Sequence, residues 1–180
     1  MVFGHWGATT EEIDGAVVGD DLCADARTIA TRCITIAAPP DAVFLWIRQM
    51  GFGRAGWYSY DWLDNLGRRS ASEIHPEWQD VVTGSRVPGG PVSFLAAVVE
   101  PPRAFVLQFG RPGGRICFTL AYELRDEPAG TRLVTRMRTR IHVPGAIVIE
   151  RGLLGPGDGF MVRRQLRTLA QRAGASPPLS

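Results

Sequence analysis

Residues 115–142 read RICFTLAYELRDEPAGTRLVTRMRTRIH. In the first half Ile116, Phe118, Leu120, Tyr122 and Leu124 recur at every second position, the period of an extended strand. Asp126–Gly130 supplies the Asp, Pro and Gly of a hairpin loop. The chain then pairs back over Thr131–His142. One side of that return strand holds Leu133, Thr135, Met137, Thr139 and Ile141. The other holds Arg132, Val134, Arg136, Arg138, Arg140 and His142. A side of mixed apolar residues and threonines suits a sheet that lines a pocket. The arginine side has to meet water or an acidic partner.

Working outward, Val92–Glu100 and Arg103–Phe109 are strands parted by Pro101-Pro102, and Val81–Val87 is a weaker one stopped at Pro88–Pro91. Thr28–Ala37, TIATRCITIA, is a β-branched strand ended by Pro39-Pro40. Pro40 and Asp41 then open a helix whose inner positions are Val43, Phe44, Ile47 and Met50, with Gly51 at its end. Asp61–Leu66 predicts a short helix and Ser70–Gln79 a second turn. On the far side, Gly159–Ala173 predicts a closing helix with Phe160, Val162, Leu166, Leu169 and Ala173 inward and Asp158 as N-cap. Ala146–Glu150 predicts a turn or two of helix. The glycines at 152, 155, 157 and 159 would let the chain turn into the closing helix. A strand, a helix, short helices, a run of antiparallel strands and a last helix make an α+β fold, with helices gathered on one face of the sheet. If the last helix stands off that face, a cavity remains.

The chain is 45% hydrophobic and 21% charged, enough for a real core. Its basic residues are all arginine. Residues 1–27 carry six acidic residues and one arginine, against an excess of arginine elsewhere. That predicts three parts: an acidic arm over 1–27, a domain over 28–174 and a tail over 175–180. The arm would either dock on a basic face of its own domain or stay solvated. In the arm, Thr9 and Glu12 have capping-box spacing. No apolar run approaches bilayer length and no signal-peptide pattern opens the chain, so the expected place is the cytoplasm. Cys23, Cys33 and Cys117 are scattered as free thiols. His5, His75 and His142 lack ligand spacing, so no metal or other cofactor is expected. The arginine stripe has no interleaved aromatics, so no nucleic-acid partner is expected.

Gly56–Asn65, GWYSYDWLDN, combines aromatic surface and polar groups and suits the wall and lid of a cavity. Gly51–Gly56 matches GxGxxG but follows a helix rather than a strand, so it is a hinge and not a nucleotide loop. The candidate ligand-binding residues are Trp57, Tyr58, Tyr60, Asp61, Glu77 and Gln79, over a floor of Phe118, Tyr122, Thr135 and Met137. Asp61, Asp64 and Asn65 share a face if helical, where one carboxyl can have a raised pKa. Asp61, His75 and Tyr58 are the candidate proton carriers. No GxSxG elbow or base-paired cysteine points to nucleophilic hydrolysis.

Several of these pieces resemble the START-like (SRPBCC) superfamily of helix-grip proteins, and more narrowly an uncharacterised actinobacterial branch. They are Trp6-Gly7-Ala8-Thr9 with Glu12, Ala38–Val43 with Gln49-Met50-Gly51, Gly56–Asn65, Ile74 with Pro76-Glu77 and Gln79, and Glu100–Arg103. Such sequences commonly show Gly-Asp after the Pro-Glu element; here Gly84-Ser85 stands there. The resemblance implies an antiparallel sheet wrapped around a long C-terminal helix, with an internal cavity. It implies a small hydrophobic, aromatic or polyketide-like ligand as partner. Two alternatives stay open: a cofactor-free polyketide cyclase, aromatase or dehydratase, and an interaction module of the Hsp90 co-activator type. Oligomeric state is left open.

Overall fold

The computed structural model describes residues 5–142 and 155–175, with side chains in the second segment from residue 159. Among these residues lie six strands: β1 (Thr28–Ile36), β2 (Arg86–Pro88), β3 (Ser93–Glu100), β4 (Ala104–Gly110), β5 (Ile116–Glu127) and β6 (Gly130–Ile141). Four α-helices accompany them, α1 (Thr10–Asp14), α2 (Pro40–Arg48), α3 (Asp61–Asp64) and α4 (Gly155–Ala175), with short 3-10 helices at Asp20–Cys23 and Pro76–Trp78. The strands form one antiparallel sheet in the order β1-β6-β5-β4-β3-β2. The fold is α+β, a sheet gripping a C-terminal helix.

The alternation read from the hairpin sets the two faces. Phe118 pairs with Thr139, Leu120 with Met137 and Tyr122 with Thr135. That side of the sheet packs on α2 and α4 through Phe44, Ile47, Phe105, Leu107, Leu133, Leu166 and Leu169, all buried. Pro40 opens α2 because a first-turn residue has no N–H bond to lose, and the helix buries Val43, Phe44, Trp46 and Ile47.

The opposite face takes the N-terminal segment. Thr9 and Glu12 form the expected capping box at α1. Glu12 also receives Arg132 through both carboxylate oxygens, at 2.7 and 2.8 Å. Arg136 donates to Asp20 and to the carbonyls of Glu12, Ile13 and Gly15. Arg138 meets Asp20 and Arg140 meets Asp25. Between these ion pairs Val17, Cys33, Val106, Ala121 and Val134 form a second small core. The arginine stripe is therefore neutralised by the chain's own acidic segment. Arg132 holds the Glu12 carboxyl at about 2, well below the usual carboxylate range. The three cysteines are buried free thiols.

Two boundaries differ from the sequence reading. Of the strand expected over Val81–Val87, only Arg86–Pro88 forms a ladder. Gly84 takes φ 94° and the Ser85 N–H donates to the Val82 carbonyl, so 82–85 is a turn. The last helix begins at Gly155 rather than Gly159, so Asp158 lies inside it. Pro156 sits in its first turn, where proline is at home. The turn expected at 146–150 and the glycine at 152 lie outside the described residues, as does the tail beyond 175.

Candidate functional site

The ladder register places Phe118, Leu120, Met137 and Thr139 side by side on the helix face of the sheet. At this end α4 stands off from them and leaves a cleft of about 690 Å³. Phe94, Phe109 and Ile141 extend its floor, Met161, Val162 and Gln165 of α4 form its roof, and Trp57, Ser59, Leu63 and Asp64 close one side. A smaller lobe of about 500 Å³ continues towards Phe52, Leu66 and Gly89–Pro91 and shares Trp57, Leu63, Asp64, Phe94, Leu120 and Met161. The volume suits a small organic molecule. At the mouth Leu63 is 53% and Leu66 77% exposed.

Glycine geometry aims the aromatic segment. Gly51 and Gly56 bridge each other through two backbone bonds, closing a tight loop after α2. Gly56 takes φ 76° with Ser70 Oγ and the Asn65 amide where a Cβ would sit, so a side chain has no room there. The chain leaves this loop with Trp57 towards the cleft, its ring edge-on to Phe94 at 5.8 Å. Phe94 in turn meets Phe109 and Phe118 at 6.3 and 6.0 Å. Ser59 donates to the Met161 carbonyl and Gln165 to the Trp57 carbonyl, tying the segment to α4.

Of the residues singled out in the sequence, Trp57, Phe118 and Met137 line this cleft. Tyr122 lies beneath its inner end, donating to Gln165 Oε1 at 2.9 Å, and thereby positions a lining side chain. Thr135 is buried opposite Tyr122 in the ladder and is not one of the lining residues.

The other candidates sit elsewhere, for identifiable reasons. Tyr58 takes φ 57°, which turns it to the opposite side from Trp57. Its ring packs on Trp46 and its hydroxyl accepts from Gln49 Nε2 at 2.7 Å; burial pushes its pKa up. It is core, and not a proton carrier facing the cleft. Tyr60 stacks on Phe160 at 4.9 Å beneath the Arg164 guanidinium. Asp61 accepts from the Ser70 hydroxyl. Gln79 belongs with Gln49, whose Oε1 it approaches while donating to the Leu45 carbonyl. His75 stacks on Trp78 at 4.2 Å and meets exposed Glu77 at 3.3 Å, a surface pair. Among Tyr58, Asp61 and His75, none is a lining residue of the cleft.

Asp64 is the ionisable side chain among the described lining residues. Both carboxyl oxygens are covered, no side chain among the described residues donates to them, and the Tyr60 and Asp64 backbone N–H groups are the donors that act on them. Burial, reinforced by the nearby Asp61 charge, raises its pKa to about 6. Its partnership with Asp61 was visible in the i, i+3 spacing, but which of the two is isolated depends on Ser70, nine residues away from Asp61. Phe94 and Phe109 escaped notice because apolar strand residues look alike until the register is known. Met161 and Gln165 show an i, i+4 spacing that places them on one face of α4. Among the described residues no three His, Cys, Asp or Glu side chains cluster to hold a metal. No helix in them is long and apolar enough to cross a membrane.

No family model matches the chain, and no curated protein does. Solved structures do. The di-domain ARO/CYC StfQ from the steffimycin biosynthetic pathway aligns at a TM-score of 0.50 and 13% identity, over 81% of this chain and 50% of StfQ. Protein CV1439 from Chromobacterium violaceum aligns at 0.50 and 15%, over 82% of this chain and 99% of that one. A Rhodobacter sphaeroides protein aligns at 0.50 and 14%, over 83% and 93%. At these identities the likeness establishes the fold alone: an antiparallel sheet gripping a C-terminal helix.

Proposed function

We propose that the chain binds a small, largely apolar molecule, of aromatic or polyketide-like shape, in the cleft between the sheet and α4. The observation that carries this is the lining itself. Around some 690 Å³ the polar side chains among the described lining residues are Ser59, Asp64, Thr139 and Gln165, and the other described ones are aromatic or aliphatic. Apolar burial with few placed polar groups is the usual recipe for small-molecule affinity. The helix-grip resemblance and the ARO/CYC name of StfQ support the same ligand class. An interaction module would leave this cleft collapsed, and an open cleft weighs against it.

The cyclase, aromatase or dehydratase reading keeps one observation in its favour. Asp64 belongs to the cleft wall, and burial raises its pKa to about 6, into the range useful for proton transfer, though its carboxyl oxygens are covered. Among the described lining residues no second proton carrier accompanies it, so binding is the better supported function.

Native mass spectrometry of freshly purified protein, followed by denaturing release, tests the binding reading. A small mass that stays with the folded chain and leaves on denaturation is the expected result. A clean apo mass, together with no uptake of any aromatic probe, would overturn it.

A further inference from the structure

We infer that the protein docks, by the rim of its cleft, on the surface of an anionic lipid bilayer. The inference goes beyond ligand binding, because it concerns the outer surface and not the cavity.

The rim is a patch of large apolar side chains that the fold leaves uncovered. Trp62 is 72% and Phe160 64% exposed, with Leu63 and Leu66 exposed as well. Shared neighbours bring them together. Leu63 and Leu66 line the smaller lobe with Met161, which adjoins Phe160 on α4. Phe160 stacks on Tyr60, the residue before α3, and Trp62 belongs to that helix. The loop after α3 holds Leu66 outward. Asn65 is buried and donates to the Arg68 carbonyl, and the Gly67 N–H donates to the Asp61 carbonyl. Between these ties Leu66 takes φ 51°, a left-handed conformation that Asn or Gly adopts at lower cost. A leucine there costs backbone strain and buries little apolar surface in the folded chain, so its use points outside the fold.

The charge beside the patch gives the partner its sign. Arg68 and Arg69 come two and three residues after Leu66 and are exposed. Arg164, also exposed, lies over the Tyr60 ring at 5.9 Å from its centroid. No carboxylate among the described residues forms an ion pair with any of the three. The acids of α3 do not answer them: Asp61 accepts from the Ser70 hydroxyl, and the Asp64 carboxyl oxygens are covered. The arginines of β6, by contrast, are neutralised by the N-terminal segment. Exposed Trp, Leu and Phe flanked by such arginines fit the headgroup boundary of an anionic membrane. A second copy docked on the same patch would bring like charges together. No helix among the described residues is long and apolar enough to cross a bilayer, so the attachment is to its surface.

Vesicles of phosphatidylcholine alone and vesicles rich in phosphatidylglycerol, offered to the full chain, test this by co-sedimentation and tryptophan emission. Binding to the anionic vesicles is expected to be at least ~10-fold tighter than to the neutral ones, with a blue shift as Trp62 enters the interface. Arg68→Ser with Arg69→Ser should weaken that binding roughly 30-fold, about fivefold for each arginine. Trp62→Ser should weaken it about 10-fold and remove most of the blue shift. Leu66→Asn separates docking from folding. It eases the left-handed backbone, so the variant should unfold at the same or a higher urea concentration while its vesicle affinity falls about 10-fold. Equal binding to both vesicle types, no binding to either, or an affinity unmoved by Trp62→Ser and Leu66→Asn overturns the inference. So does a concentration-dependent dimer, seen by analytical ultracentrifugation, that Trp62→Ser dissolves, because the patch then belongs to a second copy. Occupancy of the cleft is read separately by the mass measurement, so the two readings fail independently.

Discussion

Replacing Arg136 with methionine should loosen the N-terminal segment from the sheet. Arg136 is 3% exposed and makes five hydrogen bonds, to Thr31, Asp20 and the carbonyls of Glu12, Ile13 and Gly15. Charge-assisted bonds contribute about 1.5–3 kcal/mol each, so a simple sum over five would be roughly 7–15 kcal/mol. The segment itself sets a ceiling. Once it lifts, those carbonyls return to water and nothing further is lost. Asp20 also keeps Arg138 at 3.5 Å. The expected cost is therefore about 3 kcal/mol, at the low end for breaking a buried ion pair. Urea unfolding followed by tryptophan fluorescence measures it. Thiol labelling gives an independent readout, because Cys23 lies wholly buried in the same segment with its pKa pushed up to about 12 by burial. Its labelling should accelerate in the variant. A loss below about 1 kcal/mol with unchanged labelling would refute the claim that Arg136 anchors the segment.

Other outcomes follow from the same structure. Glu12 has its folded pKa depressed from 4.5 to about 2, so its contribution is present above about pH 4.5 and is lost as pH falls towards 2. Glu12→Gln should cost on the order of 2–3 kcal/mol at neutral pH and flatten that acid limb in a stability-against-pH series. Gly130 takes φ 123°, and a Cβ there would run into the Ile36 carbonyl oxygen; Gly130→Ala should destabilise by more than about 2 kcal/mol in the same unfolding assay. Tyr58→Phe should cost about 1 kcal/mol, because Gln49 Nε2 keeps the Glu73 carbonyl. His75→Ala should leave probe affinity within about twofold, since its ring lies on Trp78 outside the cleft.

The sheet was legible because its signals are local. Alternation from Ile116 to Leu124 and the Asp126–Gly130 loop determine a hairpin without reference to anything distant. The capping box at Thr9 and the proline entry to α2 are local in the same sense. The arginine stripe on β6 and the acidic residues of the first 27 announced complementary charge, though pairing Glu12 with Arg132 required the fold. The cleft was harder. Tyr58 and Trp57 are neighbours in sequence, and a single positive φ sends one to the core and the other to the cavity. Gln79 looks like a pocket residue until Gln49 gathers it with the His75 backbone into a buried polar knot. Asp61 and Asp64 differ in role because of Ser70, which composition and periodicity do not connect to either.

The sheet order has a consequence for how the chain is made. β1 is the first strand in sequence, yet Thr28 pairs with Thr139 and Ile36 with Thr131, both on the last strand. A ribosome adding roughly 5–20 residues per second leaves β1 without its ladder partner for on the order of 5–20 s. During that interval TIATRCITI is an unpaired, β-branched segment of the kind that associates with copies of itself. Two features blunt the hazard. Arg32 interrupts the run at its centre, as gatekeeper charges do. Trp6, made earlier, can already hold the Cys33 N–H through its carbonyl, covering one of the two edges while the other waits. Solubility of the nascent chain, and not only of the finished fold, is thus written into the centre of β1.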